Sequence, residues 1–187
     1  MPITFCGLTA GVGLSCEKIG NAVGGANQRF WIGSYNAVES FTIDATTKDI
    51  EAIVWVTGTT GLYEFAAARN SLAGTGNTQL TDGGIPYFTH GLNATLYAQT
   101  SAEREALESL AKSTVFCIVQ RNTNQFEVFG WAGGMTIESM ESSTGLTAQD
   151  NTGYQLVLTG DNARLPKIFF DTSFSTTLST IEGYVVP

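Results

Sequence analysis

Histidine occurs once in these 187 residues, as His90. Ser–His and Cys–His nucleophilic machinery therefore has one possible base, and it sits in "PYFTHGLNATLY", where period-two alternation puts it on an apolar strand face. A lone histidine there is a core residue, not a base. GxSxG, HExxH and Walker lysine motifs are also missing. No pair of carboxylates is singled out for glycoside hydrolysis. The expectation is a protein that is not an enzyme.

Charge is scarce as well. Only 14% of residues are charged, against roughly 25% in ordinary soluble domains. Nine basic and 17 acidic residues give a net charge of −8, and no Lys/Arg cluster exists. That excludes gripping nucleic acid through its phosphates, though not surrounding it without gripping. With 43% hydrophobic and 11% aromatic residues the chain is no disordered tail. Its many neutral residues favour a surface covered by partners over an unusually large interior. No apolar run approaches the ~18 residues of a membrane span. "MPITFCGLTAG" lacks the regions of a signal peptide, so the expected setting is a cytoplasm.

Cysteine is limited to Cys6, Cys16 and Cys117. An odd count in a reducing compartment disfavours disulfides. With His90 the three would make a Cys3His zinc set, but no pair has knuckle spacing, and Cys117 in "TVFCIVQ" reads as a small buried hydrophobe. Neither a metal nor a cofactor is expected. The glycines of "GLTAGVG" and "GNAVGG" neither follow a strand nor open a helix, so they suit a close-packed irregular arm better than a phosphate loop.

What is present is mostly strand. One amphipathic helix is predicted over 100–112, with a Thr100/Glu103 capping box and a stripe of Ala102, Ala106, Leu107, Leu110 and Ala111. "TVFCIVQ" and "FEVFGWA" flank "RNTNQ" as a hairpin, and "GMTIESM" and "GYQLVLTG" alternate. A long hairpin folds around "TDGG", pairing the stretch from Leu62 to Leu80 with that from Gly84 to Gln99. On it, His90, Leu92, Ala94 and Leu96 face a core, with Tyr63, Phe65 and Ala67 across from them. Thr89, Asn93, Thr95, Gln99, Glu64 and Asn70 take the other face, which holds no Lys or Arg. Downstream, Thr136 and Glu138 repeat this polar face. The expected fold is mainly β, one domain over 1–187: an antiparallel β sandwich or barrel with one flanking helix and extended arms. Three arms lie outside the alternating strands, at about 1–28, 36–61 and 161–187. All are apolar, and the expectation is that neighbouring copies bury them.

The order "YEFAAARNSLAG", "GIPYFTHGLNATLY", "SAEREALESLAKSTVFCIVQRNTNQFEVFG", "GGMTIES" and "TGLTAQDNTGYQLVLTGDN" resembles the tail tube proteins of tailed bacteriophages. The opening "CGLTAGVGLSC" with "GGANQRFWIG" is similar to the start of a group of such virion proteins. The resemblance covers about residues 6–165, and the chain departs from it beyond Pro166. It implies hexameric rings stacked into a hollow tail tube, in a virion assembled in the host cytoplasm. Each subunit would give four strands to a closed barrel around phage DNA that is not specifically bound. Other tail and connector proteins would be partners, with no membrane span. Glu64, Asn70, Asn93, Thr95, Gln99, Thr136 and Glu138 would then face the lumen. Contacts between subunits would fall to Leu8 and Leu14 of the N-terminal arm, Ile53 and Trp55 of a projecting inter-ring loop (36–61), and Phe169 and Phe170 of the C-terminal extension. Two alternatives stand beside this: a head–tail connector or tube-capping ring, and a β-sandwich carbohydrate-binding module with Trp31, Trp55 or Trp131 exposed to sugars.

Overall fold

The computed structural model describes residues 25–58, 61–98, 100–143 and 153–186. In chain order the strands are β1 (Ala26–Ser34), β2 (Val38–Ile43), β3 (Ile50–Trp55), β4 (Leu62–Ala66), β5 (Ala73–Leu80), β6 (Pro86–Leu96), β7 (Val115–Arg121), β8 (Phe126–Phe129), β9 (Thr136–Ser143), β10 (Gly153–Asn162) and β11 (Lys167–Phe169). Helix α1 (Ser101–Ala111) separates β6 from β7, and α2 (Phe174–Gly183) follows β11. The strands form a seven-stranded sheet, β2-β3-β11-β8-β7-β1-β4, and a four-stranded sheet, β5-β6-β10-β9. The fold is mainly β, two sheets with a flanking helix.

β7 is apolar at consecutive positions, the signature of a strand covered on both faces, and Val115 to Gln120 are all buried. Val115, Cys117 and Val119 face one core with Phe30, Ile32 and Phe129. The four-stranded sheet closes that core with Leu92, Ala94, Leu96, Leu156 and Leu158, and α1 adds Leu107 and Leu110. Phe116 and Ile118 point the other way, into a second core with Trp31, Ile50, Ile53, Phe126, Phe169 and Ile181. The large sheet curls around this second core. Phe41 on its edge strand meets Phe116 edge-on at 5.3 Å, although three strands lie between theirs.

α1 forms as its capping box demands: the Glu103 N–H donates to the Thr100 hydroxyl at 3.2 Å, and the Thr100 N–H donates back to the Glu103 carboxylate at 2.8 Å. Gly74 on β5 has a packing reason, since a Cβ there would lie 2.4 Å from the Phe129 ring. The β2–β3 turn is closed by the Asp44 carboxylate, which accepts the N–H groups of Thr46 and Thr47 at 2.6 and 2.5 Å.

Three sequence expectations are corrected. Residues 36–61 are not a projecting loop. β2 and β3 are a hairpin of the large sheet, Ile53 is 5% exposed, and Trp55 packs against Phe116 and Tyr184. Nor is 161–187 an arm seeking a neighbour. β11 inserts between β3 and β8, Phe169 is buried, and α2 supplies Ile181 to the second core. Phe170, at 43% exposed, alternates outward from it. α2 is a second helix with a buried Thr177, whose hydroxyl donates to the Ser173 carbonyl at 2.7 Å and accepts from the Asp171 N–H at 2.9 Å. Finally, β4 is not the partner of β6. β4 pairs with β1 in the large sheet, and β5 is the strand across the "TDGG" turn. The apolar segments 36–61 and 161–187, which resembled arms, complete this chain's own second core, whereas residues 1–24 of the N-terminal arm lie outside the described residues.

His90 is fully buried on the core face of β6. Its Nδ1 accepts the Gly130 N–H and its Nε2 donates to the Arg164 carbonyl, both at 2.8 Å. That arrangement fixes a neutral tautomer, because a proton on Nδ1 would collide with the Gly130 N–H. Burial pushes its pKa below the usual 6.5.

Two outcomes follow from these placements. Ile53→Ser and Trp55→Ser should each destabilise the isolated chain by about 3 kcal/mol in urea denaturation, through cavities and a buried hydroxyl. Surface contacts would move it by a few tenths only. Because folding holds His90 neutral while the unfolded chain protonates near its ordinary value, stability should be full above about pH 6.5 and fall as pH drops below it. The urea midpoint followed from pH 7.5 to 5 checks this, and His90→Gln should flatten the dependence.

Candidate functional surface

The four-stranded sheet has one face on the first core and the other uncovered by any described element. Period-two alternation sorts the side chains. β6 sends Leu92, Ala94 and Leu96 inward and Thr89, Gly91, Asn93 and Thr95 outward. β10 sends Leu156 and Leu158 inward, leaving Gln155, Val157, Thr159 and Asp161 outward. The register aligns these rows: Asn93 opposite Val157, Thr95 opposite Gln155, and Gln155 opposite Glu141 of β9. Across the first pair of strands the Thr89 hydroxyl donates to the Asp161 carboxylate at 2.8 Å. A bulge in the β9–β10 ladder falls at Glu138, which is exposed.

Electrostatically the surface is one-sided. None of the four strands contains Lys or Arg, and their carboxylates are Glu138, Glu141 and Asp161. Every residue of β5 is exposed. β5 and β9 are the end strands of this sheet, so among the described residues both of its edges are open. At one end of the sheet the β5–β6 turn, held by Thr81 N–H to the Ile85 carbonyl at 3.0 Å, carries Leu80 and Ile85, each 68% exposed.

Of the residues expected on this polar face, Asn93, Thr95, Thr136 and Glu138 lie on the sheet together. Glu64 and Asn70 do not. Glu64 belongs to the large sheet, where it binds the Arg29 guanidinium through both oxygens at 2.7 and 2.8 Å, and Arg29 also reaches Glu182 of α2 at 3.0 Å. Asn70 sits in the turn between β4 and β5 with φ of 59°. Gln99, Leu8 and Leu14 lie outside the described residues, as do Cys6 and Cys16. Gln155, Thr159, Asp161 and Glu141 belong to the face too, and the alternation of "GYQLVLTGD" was the signal for the first three.

A second feature is an apolar groove of about 760 Å³ where α1 faces β4 and the end of β6, lined by Ile32, Phe65, Leu96, Leu107 and Leu110 among others. It contains no catalytic constellation. Cys117 is fully buried, which pushes its thiol pKa up and leaves it inert. Among the described residues no group of three His, Cys, Asp or Glu side chains could hold a metal ion, and no helix is long and apolar enough to cross a membrane. The tryptophans offer no sugar platform: Trp31 and Trp131 are buried and Trp55 is packed between aromatic rings. No family model, curated protein or solved structure matches this chain.

Proposed function

We propose that this chain is the repeating subunit of a phage-tail-type tube, a ring-forming virion protein whose four-stranded sheet lines a channel for DNA. One observation carries the reading: among the described residues, a four-stranded sheet open at both edges, whose uncovered face has carboxylates and no cation. Open edges are templates for another strand, and closing a barrel through β5 and β9 of neighbouring copies removes them. Six copies give 24 strands. At about 4.8 Å per strand and a tilt near 45° the backbone diameter is roughly 50 Å, wide enough for a duplex after inward side chains are subtracted. A neutral-to-acidic lining repels phosphate, so the duplex slides where a basic lining would hold it.

The lumen face in this reading is Thr89, Asn93, Thr95, Thr136, Glu138, Gln155 and Asp161, without Glu64 or Asn70. Stacking between rings passes from the 36–61 segment to the exposed Leu80 and Ile85 at the end of the hairpin, where a head-to-tail contact propagates along the tube axis. A connector or capping ring would use the same barrel and stack once. The carbohydrate-binding alternative finds no exposed tryptophan to support it.

Purified protein should sediment as rings or stacks, visible by negative-stain microscopy. Leu80→Asp with Ile85→Asp should leave rings that no longer stack. Combined Glu138→Lys, Glu141→Lys and Asp161→Lys should leave rings that retain duplex DNA at low salt and release it steeply as salt rises, whereas the unaltered protein retains none. A chain that stays monomeric at high concentration, or unaltered rings that bind DNA tightly, would count against the proposal.

A further inference from the structure

The two edge strands of the four-stranded sheet are offset from one another. Along the ladders, Ala73, Asn93, Val157 and Ser139 stand in one row across the sheet. From that row β5 runs on to Leu80, beside the β5–β6 turn, whereas β9 reaches Ser143 at the opposite end. The Ala68 N–H donates to the Thr95 carbonyl at 2.8 Å, so Thr95 and its alternates on β6 direct their backbone groups to the β5 side. Following the ladders outward, Gly74, Gly76, Thr78 and Leu80 turn their backbone groups to the free edge of β5, and Met140 and Ser142 turn theirs to the free edge of β9. The β9 side is closed just before the strand begins, where Val115 and Met135 exchange N–H to carbonyl bonds at 2.8 and 2.7 Å. Among the described residues no strand pairs with it from Ile137 to Ser143.

We propose that β5 of one copy pairs with β9 of the next in one register, with Gln79 opposite Ser139 and with Gly76–Ser142 and Thr78–Met140 as hydrogen-bonded pairs. This rests on the proposed ring and names the contact that sets its geometry. The four strands alternate in direction, so β5 meets the next β9 antiparallel in a cyclic ring. Thr75, Asn77 and Gln79 share the uncovered face and must meet Ser139 and Glu141 of that same face, which allows shifts of two residues only. With Thr75 or Asn77 opposite Ser139, the end of β5 runs onto Met135, where Val115 already sits. With Gln79 there, β5 ends beside Ile137, which is half-buried, and Glu138 bulges as it does against β10. A further shift loses pairs. β5 carries no charge, so Glu141 meets Asn77 without repulsion.

The same register sets the tilt and the hand of the barrel. Each copy climbs from Ala73 to Gln79, about 20 Å along the strands, while crossing four strands, about 19 Å, so the strands tilt by about 45°. Seen from the uncovered face with β6 running upward, Thr95 points its side chain at the viewer. For L-residues its carbonyl then points right, which puts β5 on the right and β9 on the left. A climb to the left seen from inside coils the strands right-handed, the sense that strand twist requires.

Cysteine pairs read the register. In a Cys6→Ser/Cys16→Ser background, Gln79→Cys/Ser139→Cys is compared with Asn77→Cys/Ser139→Cys after mild oxidation, with assembly followed by sedimentation. Cys117 is fully buried and does not compete. Opposed residues of a non-hydrogen-bonded pair lie about 4.5 Å apart between Cα atoms, within disulfide range, whereas a two-residue slip takes them to about 7–8 Å, outside it. The first pair should link subunits into covalent ladders up to the hexamer on non-reducing gels, at least about tenfold more than the second. Rings that link through Asn77→Cys instead, or through neither pair, would overturn this register while leaving the ring itself standing. Protein that never assembles would overturn both.

Discussion

Both cores of this protein are built on β7. A strand with apolar side chains on consecutive positions has no face to offer water, so something must be packed on each side. On one side the requirement is met by the four-stranded sheet and α1, on the other by the curled flank of the large sheet and α2. The dihedral alternation of a single strand thereby divides the chain into layers. It also decides which surface is left over, because the four-stranded sheet spends one face on β7's core and has only the other to present.

That leftover face is where the chain's low charge has its consequence. A solvated sheet face ordinarily mixes both signs of charge. Here the strands carry threonine, asparagine, glutamine and three carboxylates. Among the described residues this surface carries no Lys or Arg on its strands and is bordered by two open edges, the features on which the proposed enclosure of a moving polyanion rests.

The sequence made local features readable and long-range ones ambiguous. The α1 capping box, the β7–β8 hairpin and the inward row of β6 follow from contacts within a few residues, and each is where its pattern placed it. The β2–β3 hairpin and β11 were legible as apolar and β-prone, but hydrophobicity does not say whether the cover is the same chain or a neighbour. Ile53, Trp55 and Phe169 were assigned to a neighbour and belong to the chain's own second core. α2 was missed because "SFSTTLSTIEG" is rich in residues that favour caps and strands over helix interiors. Its signal was the Ser173 N-cap and the Leu178/Ile181 spacing. β4 and β5 were merged because both flank a plausible hairpin turn. Which sheet a strand joins depends on pairing with β1 and β6, and no local pattern encodes that choice.

The central claim is that the open sheet is one sector of a closed barrel. A cryo-electron microscopy reconstruction of the assembled protein, at a resolution that separates strands, tests it most directly. The account predicts sixfold rings with β5 of one copy hydrogen-bonded to β9 of the next, and with Asn93, Gln155 and Glu138 on a lumen about 50 Å across between backbones. An assembly in which that face is covered by another layer, or in which the edges of β5 and β9 stay unpaired, would contradict it.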